Sequence, residues 1–440
     1  MIRLLYNLVF PVGLLLFLPA YLLKMRRRGN YRRNFGQRFG FYSAEVRARL
    51  AGRRSTWIHA VSVGEVAIAL KLAAKLRDLD PAFACVLTTT TTTGYAFAAG
   101  QARTWMEVMY NPLDHWPMVR SAFAAIRPER VILVEAEVWP NLAATAQARG
   151  IPLALVNARL SPRSERRFRR FRPIVAPTFR CLDLVCVQEE RDIARWEALG
   201  VRPGVIREVG SIKYDPAEGE SDATGPREVL RQFGVEEARP ILLGGSTHAG
   251  EEEILAATFL RLRRDFPDLF LVVAPRHAER TAEVRAALER AGLPVELRST
   301  AATAGAAAAD CLLLDTTGEL RHWYAAATVV FVGKSLTAHG GQNPVEPILA
   351  GRPVVFGPHM ENFASLAAAL LAANGAIEVA DADALAARTA ELLQAPERRT
   401  QLVTNAKRVL AHHRGATQRT AELILRLNSP AARALATAAK

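Results

Sequence analysis

Short apolar runs recur along the chain, each closed by small or polar residues and followed by a stretch whose apolar positions return every three to four residues. This alternation predicts buried parallel strands joined by amphipathic helices, an α/β architecture. Strands are expected at residues 57–61, 84–89, 131–134, 153–156 and 184–187, with helices over 66–77, 141–148 and 193–199. The pattern restarts near 209–215, passes an acidic link around 217–226, and gives further strands at 241–244, 269–274, 311–314, 329–332 and 354–356. Helices are expected over 383–393 and 397–427, and the Ala-rich stretch 300–309 reads as a loose helix or loop. Two similar halves predict two Rossmann-like domains facing each other across a cleft, with ligands beyond the carboxyl ends of the strands. The expected partition is 1–23 as a membrane anchor, 24–208 as an N-terminal domain, 209–425 as a C-terminal domain and 426–440 as a tail.

The anchor is residues 4–23, in which Asn7 is the only strongly polar side chain. As a helix these residues would extend about 30 Å, enough to cross the hydrocarbon layer, with kinks at Pro11 and Pro19. Arg3 alone precedes the segment, whereas Lys24, Arg26, Arg27, Arg28, Arg32 and Arg33 follow it. That order opposes a cleaved signal peptide and places everything after residue 24 on the cytoplasmic side, with the choice between a spanning anchor and a shallow, non-spanning one left open.

Charge changes the picture through its location. Of a formal net charge of +14, residues 24–54 carry +10 and residues 159–172 carry +6, which leaves −2 for the remainder. The first patch suits anionic headgroups beside the apolar segment, and the second suits either a membrane surface or a solvated basic helix. They lack the charged groove with interleaved aromatics that nucleic acid requires, so no nucleic-acid partner is expected. Cys85, Cys181, Cys186 and Cys311 are dispersed in apolar surroundings and read as buried reduced thiols.

Candidate chemistry lies where strands end. After the run 329–332, His339, Gly340, Gly341 and Gln342 lead to Asn343 as N-cap, Pro344 at the first helical position, Glu346 in the first turn and Gly351 beyond the helix. Such a loop directs backbone N–H groups and a helix dipole at one point, which suits a phosphate, and Glu346 suits a ribose diol. After 241–244, Ser246 and Thr247 stand in a glycine turn before the acidic residues Glu251, Glu252 and Glu253, either capping a helix or binding the same anion. Arg276, with His277 beside it, puts a cation at the end of the next strand. Gly333-Lys334-Ser335 lacks the upstream glycine of a P-loop, which excludes a Walker ATPase. The scattered histidines and the two Asp-x-Asp pairs give no metal-ligand pattern, so neither metal nor cofactor is expected.

In the first half, Ser62 and Gly64 end a strand and Glu65 opens the following helix. Either Glu65 answers the helix dipole or it serves as a general base at the strand's carboxyl end. Glu135 and Glu137, expected on one strand face after 131–134, add carboxylates at a second strand end, with the division of roles between them left open.

The motifs His59-Ala-Val-Ser-Val-Gly-Glu65, Glu135-Ala-Glu-Val-Trp-Pro-Asn141, Val156-Asn-Ala-Arg-Leu-Ser161, Gly210-Ser-Ile-Lys-Tyr-Asp215, Gly245-Ser-Thr-His248, Ala274-Pro-Arg-His277 and His339-Gly-Gly-Gln-Asn-Pro-Val-Glu-Pro347 occur in this order. Together they resemble the Kdo transferases, which add 3-deoxy-D-manno-octulosonic acid to the inner core of lipopolysaccharide. The resemblance runs from the N-terminal segment to about residue 425 and implies a GT-B fold, CMP-Kdo as donor and a lipid A precursor as acceptor at the inner membrane. It implies Glu65 as base, Glu137 as a second functional carboxylate, and Ser246, Thr247, Arg276, Asn343 and Glu346 as CMP ligands, with Lys213 a further member. Gln342 departs from the pattern, since many relatives have His there. The competing expectations are a GT-B enzyme using a UDP-sugar, or a non-catalytic nucleotide-binding scaffold at the membrane.

Overall fold

Val131, Ile132, Leu133 and Val134 are all fully buried, alternating between two apolar layers on opposite faces of one sheet. Only a parallel sheet covered on both faces buries such a run, at about 1.5–3 kcal/mol per side chain. In the computed structural model this sheet comprises β1 (Ser55–His59), β2 (Cys85–Thr89), β3 (Met106–Tyr110), β4 (Pro128–Val134), β5 (Leu153–Ala158), β6 (Leu184–Val187) and β7 (Ile206–Glu208). Their order is β3-β2-β1-β4-β5-β6-β7, all parallel. The structure describes residues 2–28, 34–53, 55–215, 222–236, 238–300 and 309–427, and within the first helix the side chains of residues 3–16.

The second sheet comprises β8 (Ile241–Thr247), β9 (Phe270–Pro275), β10 (Val295–Leu297), β11 (Cys311–Leu313), β12 (Val329–Val332), β13 (Val354–Phe356) and β14 (Ile377–Glu378). Its order is β10-β11-β9-β8-β12-β13-β14, again all parallel and again between two apolar layers. The ten strands expected from apolar runs are the ten interior strands, whereas β3, β7, β10 and β14 are the four edges. All four cysteines are free and buried.

Each sheet belongs to its own compact unit, Met1–Asp215 with His413–Lys440, and Pro216–His412. The first unit therefore extends past residue 208 and reclaims the chain after His412. The expected helix over 397–427 is two helices, Pro396–Ala411 and Ala416–Arg426, parted at Gly415 with φ 76°. Ala421 and Ile424 of the second helix pack in the first unit's core. Asp215 secures this return by accepting the N–H groups of Gly415 at 2.7 Å and Thr417 at 2.8 Å. The 217–226 link, the 300–309 stretch and the tail fall largely or wholly on residues 216–221, 301–308 and 428–440, outside the described residues.

The chain begins with a helix, Ile2–Arg28. Tyr6, Asn7, Phe10, Gly13 and Leu14 are half-buried, whereas Leu4, Leu8, Leu15 and Leu16 are at least 71% exposed. The inward face is held by polar contacts. Asn7 Oδ1 accepts the Trp116 N–H at 3.0 Å, and the side-chain amides of Asn7 and Asn141 lie 2.9 Å apart. Phe10 stacks on His115 with ring centroids 5.3 Å apart. Among the described residues, no helix is long and apolar enough to cross a membrane. The second half of the expected anchor lies outside the described side chains, and Arg32 and Arg33 lie outside the described residues.

Candidate active site

In the first sheet, chain order reverses between β1 and β4, and the residues leaving those two strands carry the acids. Ser62 caps the helix Val63–Leu79, whose apolar positions Val66, Ala69, Leu72, Ala73 and Leu76 are buried. Glu65 completes a capping box, accepting the Ser62 hydroxyl at 2.9 Å and the Val61 N–H at 2.9 Å. The dipole-and-cap reading of Glu65 is thus real, but these two bonds use only about half of a carboxylate's acceptor sites. Burial raises its pKa, against those hydrogen bonds.

β4 ends at Val134, and Glu135 turns the chain with φ 64°, so Glu135 and Glu137 do not share a strand face as expected. The next helix, Pro140–Ala148, then begins after Trp139. Its missing side-chain cap is supplied from 27 residues away by Asp114, which accepts the N–H groups of Asn141 and Leu142, both at 2.9 Å. Burial pushes the Asp114 carboxyl up to about 6. This clamp fixes the loop that carries Glu137. Burial, then the charges of Glu65 and Glu135, raises Glu137 to about 7. Glu135 is raised by burial and by Glu65, with Arg159 and Lys213 opposing. Lys213 thus belongs to the first unit, where burial lowers it to about 8 despite the attraction of Glu135. Three carboxylates, each raised by burial, share one corner.

In the second sheet the reversal lies between β8 and β12. Ser246 takes φ 55° and is half-buried, but Thr247 is fully buried and donates its hydroxyl to Glu252 Oε1 at 2.9 Å. Glu252 also holds Arg280 at 2.8 Å. Neither hydroxyl caps the following helix, which starts at Glu251 after Gly250 with φ 88°. Arg276 and His277 are exposed, directly after β9. The glycine loop differs by one residue from expectation: the helix is only Val345–Leu349, with Pro344 as its N-cap. Asn343 still caps, its Oδ1 accepting the Val345 N–H at 3.0 Å while its amide donates to Glu346 Oε1 at 3.1 Å. Gly340 and Gly341 adopt φ 124° and 67°, and a Cβ on Gly341 would meet Met360 Sδ at 2.5 Å. Gln342 approaches His248, their side-chain nitrogens 3.5 Å apart.

Two residues of this corner escaped the sequence reading. Tyr324 is buried on the helix Leu320–Ala326, where it feels both Glu346 and Arg276, and a Cβ on Gly245 would meet its hydroxyl at 2.6 Å. Glu251 is fully buried and takes four backbone N–H groups, from His248, Lys334, Ser335 and Leu336, at 2.7–3.0 Å. Its position in an acidic first turn gave no hint of this. As for metals, His339, His359 and Glu361 bring ligand atoms within 4.8 Å of one another. Glu361 already holds His339 Nδ1 at 2.9 Å and the Gly340 N–H at 2.6 Å, and these bonds lower its pKa to about 2.

Two parallel Rossmann-like sheets, each with polar loops at its switch point, define a GT-B-like α/β protein. The fold is similar to that of UDP-GlcNAc 2-epimerase from Neisseria meningitidis, with TM-score 0.58 over 84% of this chain and 100% of that one at 12% identity. Residues 33–216 match the family described as 3-Deoxy-D-manno-octulosonic-acid transferase (kdotransferase). The chain is 35% identical to the 3-deoxy-D-manno-octulosonic acid transferase of Bordetella pertussis over 94% of its own length and 98% of that protein. It is 32% identical to the enzyme of the same name from Haemophilus influenzae, over 90% and 91% of the two chains. The chain belongs to the Kdo transferase family of glycosyltransferases.

Proposed function

We propose that this enzyme transfers Kdo from CMP-Kdo to a sugar hydroxyl of a lipid A precursor, with inversion at the anomeric carbon. The observation that carries the mechanism is the corner shared by Glu65, Glu135 and Glu137 at the switch point of the first sheet. Glu65 accepts the acceptor's hydroxyl proton as that oxygen attacks the anomeric carbon, and CMP leaves from the opposite face. The capping box holds the Glu65 carboxylate in place before substrate arrives. Glu137, poised near neutrality, tunes the charge around it.

The second domain holds the donor. Ser246, Arg276, His277, Gly340, Gly341, Gln342, Asn343 and Glu346 bind CMP and stabilise the departing phosphate. Thr247 serves that site from below, since its hydroxyl is engaged by Glu252. Lys213, beside Glu135, balances the acids rather than gripping nucleotide from within the second domain.

We also infer that the enzyme works on the cytoplasmic face of the inner membrane, held by its N-terminal segment against anionic lipid. The exposed leucine face of the first helix and the outward Arg163, Arg166, Arg167 and Arg170 support this. The docked face of Tyr6, Asn7 and Phe10 favours a helix lying along the bilayer over residues 3–16.

Mass analysis of the product from CMP-Kdo and lipid A precursor tests donor, acceptor and reaction together. A product unchanged in mass with the wild-type enzyme sinks the reading. Competition separates the UDP-sugar alternative, because CMP but not UDP is expected to protect the protein against heating.

A further inference from the structure

A cavity of about 520 Å³ lies in the first domain, between the N-terminal helix, the helix Pro140–Ala148 and the helices Pro162–Arg170 and Arg172–Phe179. Its size is within the range of about 300–1,000 Å³ typical of small-ligand sites. Tyr6, Val138, Ala144, Phe168, Ile174 and Val175 make the lining mostly apolar, with Arg3, Gln147 and Thr178 as its polar members, and no acid lines it among the described residues. Ile174 is 51% exposed, and the neighbouring Phe171 is 47% exposed. Exposed apolar surface thus borders the cavity on this side, as suits a hydrocarbon chain entering from a lipid layer.

We infer that this cavity lodges one acyl chain of the acceptor lipid, a deepening that rests on the proposed acceptor. Three observations select a chain with an anionic head. Phe168 turns inward from the helix Pro162–Arg170, resting edge-on against Phe179 with centroids 5.5 Å apart, while Arg163, Arg166, Arg167 and Arg170 of that helix face solvent. Arg3 supplies a cation to the cavity wall itself. Hydrocarbon and anion sites are therefore one helix apart. A fourth observation selects the acceptor over surrounding lipid. Val138, in the loop that carries Glu137, and Pro140, which opens the helix after that loop, line the cavity, so an acyl chain seated there tethers its sugar head beside the loop bearing the acids. Tyr6 closes one wall because Asn7 locks its helix onto Asn141 and Trp116.

Two substitutions test this in the full-length protein. Ala144→Trp fills the cavity, and Ile174→Asp places a carboxylate at an exposed lining position, where folding is not at risk. The probe is cis-parinaric acid, a fatty acid whose fluorescence rises in an apolar site and whose binding needs no turnover. Each methylene buried strengthens binding about fourfold, so losing a few should weaken the probe at least tenfold in both variants. KM for acylated acceptor is expected to rise, with KM for CMP-Kdo and the rate on deacylated acceptor unchanged. Unaltered probe binding in both variants overturns the proposal. So does loss of probe binding with an unchanged KM for acylated acceptor, which assigns the cavity to surrounding lipid. Equal loss on acylated and deacylated acceptors overturns it in favour of a structural role. If no Kdo transfer occurs at all while the probe still binds and both variants lose it, the proposed reaction fails and the assignment to its acceptor falls with it, leaving the chain site measured independently.

Discussion

Glu251 accepts the backbone N–H of Lys334 at 2.7 Å, across 83 residues of sequence. The same carboxylate takes His248, Ser335 and Leu336, so one buried acid fastens the loop after β8 to the loop after β12. Both proposed donor loops therefore depend on a side chain that need not touch donor. Lys334 itself has φ 57°, a conformation costly for a residue with a Cβ and held here by that clamp.

Replacing Glu251 by Gln turns one acceptor oxygen into a donor among four N–H groups. The expected loss is about 2–4 kcal/mol of stability, read from the denaturation midpoint, together with weaker CMP binding. Normal stability would show that the loops are held by other means.

Glu65→Gln keeps the size of the side chain and one cap acceptor while removing the base. Transfer should fall about 10²–10⁴-fold with CMP affinity retained. Glu65→Ala should fall as far and also lose about 1 kcal/mol of stability, because the capping box goes with it. Near-normal turnover in both variants would remove Glu65 from the chemistry.

Glu137 gives a pH signature. Its pKa is raised from 4.5 to about 7, so the folded protein keeps a proton that the unfolded chain has released across that window. The native state binds more protons there, and the stability contributed by this group falls as pH rises from 4.5 to 7. Glu137→Gln is accordingly expected to match wild type at pH 4 and to exceed it by about 1–2 kcal/mol at pH 8, after discounting for partial exposure. An equal gain at both pH values would refute the assignment.

Gly245 and Gly341 test the donor corner by crowding it. An added methyl meets the Tyr324 hydroxyl at the first and Met360 sulfur at the second, where φ of 67° adds strain. Gly341→Ala and Gly245→Ala should each cost about 1–3 kcal/mol, and Gly245→Ala, by displacing buried Tyr324, should also weaken CMP binding, both measurable by thermal shift with and without CMP. Unchanged CMP affinity in Gly245→Ala would place the nucleotide elsewhere.

How much could be read without coordinates follows the burial. Interior strands such as Val329–Val332 must be apolar on both faces, and they announced themselves. Edge strands carry no such demand. Glu107 in β3 pairs with Arg49 at 2.7 Å, and β14 is two residues long, so neither leaves an apolar run to find. The site divides similarly. Ser62 and Glu65 are three residues apart and spell a capping box, whereas Asp114 lies 27 residues from the helix it caps.

The sequence by itself determined the alternation of strands and helices, the two parallel sheets and the family, because these rest on local apolar periodicity and on motifs contiguous in the chain. Only the tertiary structure decided that Glu135, Glu137 and Lys213 share a corner, that Thr247 answers Glu252 and that Glu251 binds two loops together. Those relations join residues far apart in sequence, and burial, which sets their charge and hydrogen bonding, exists only after the sheets have closed over them.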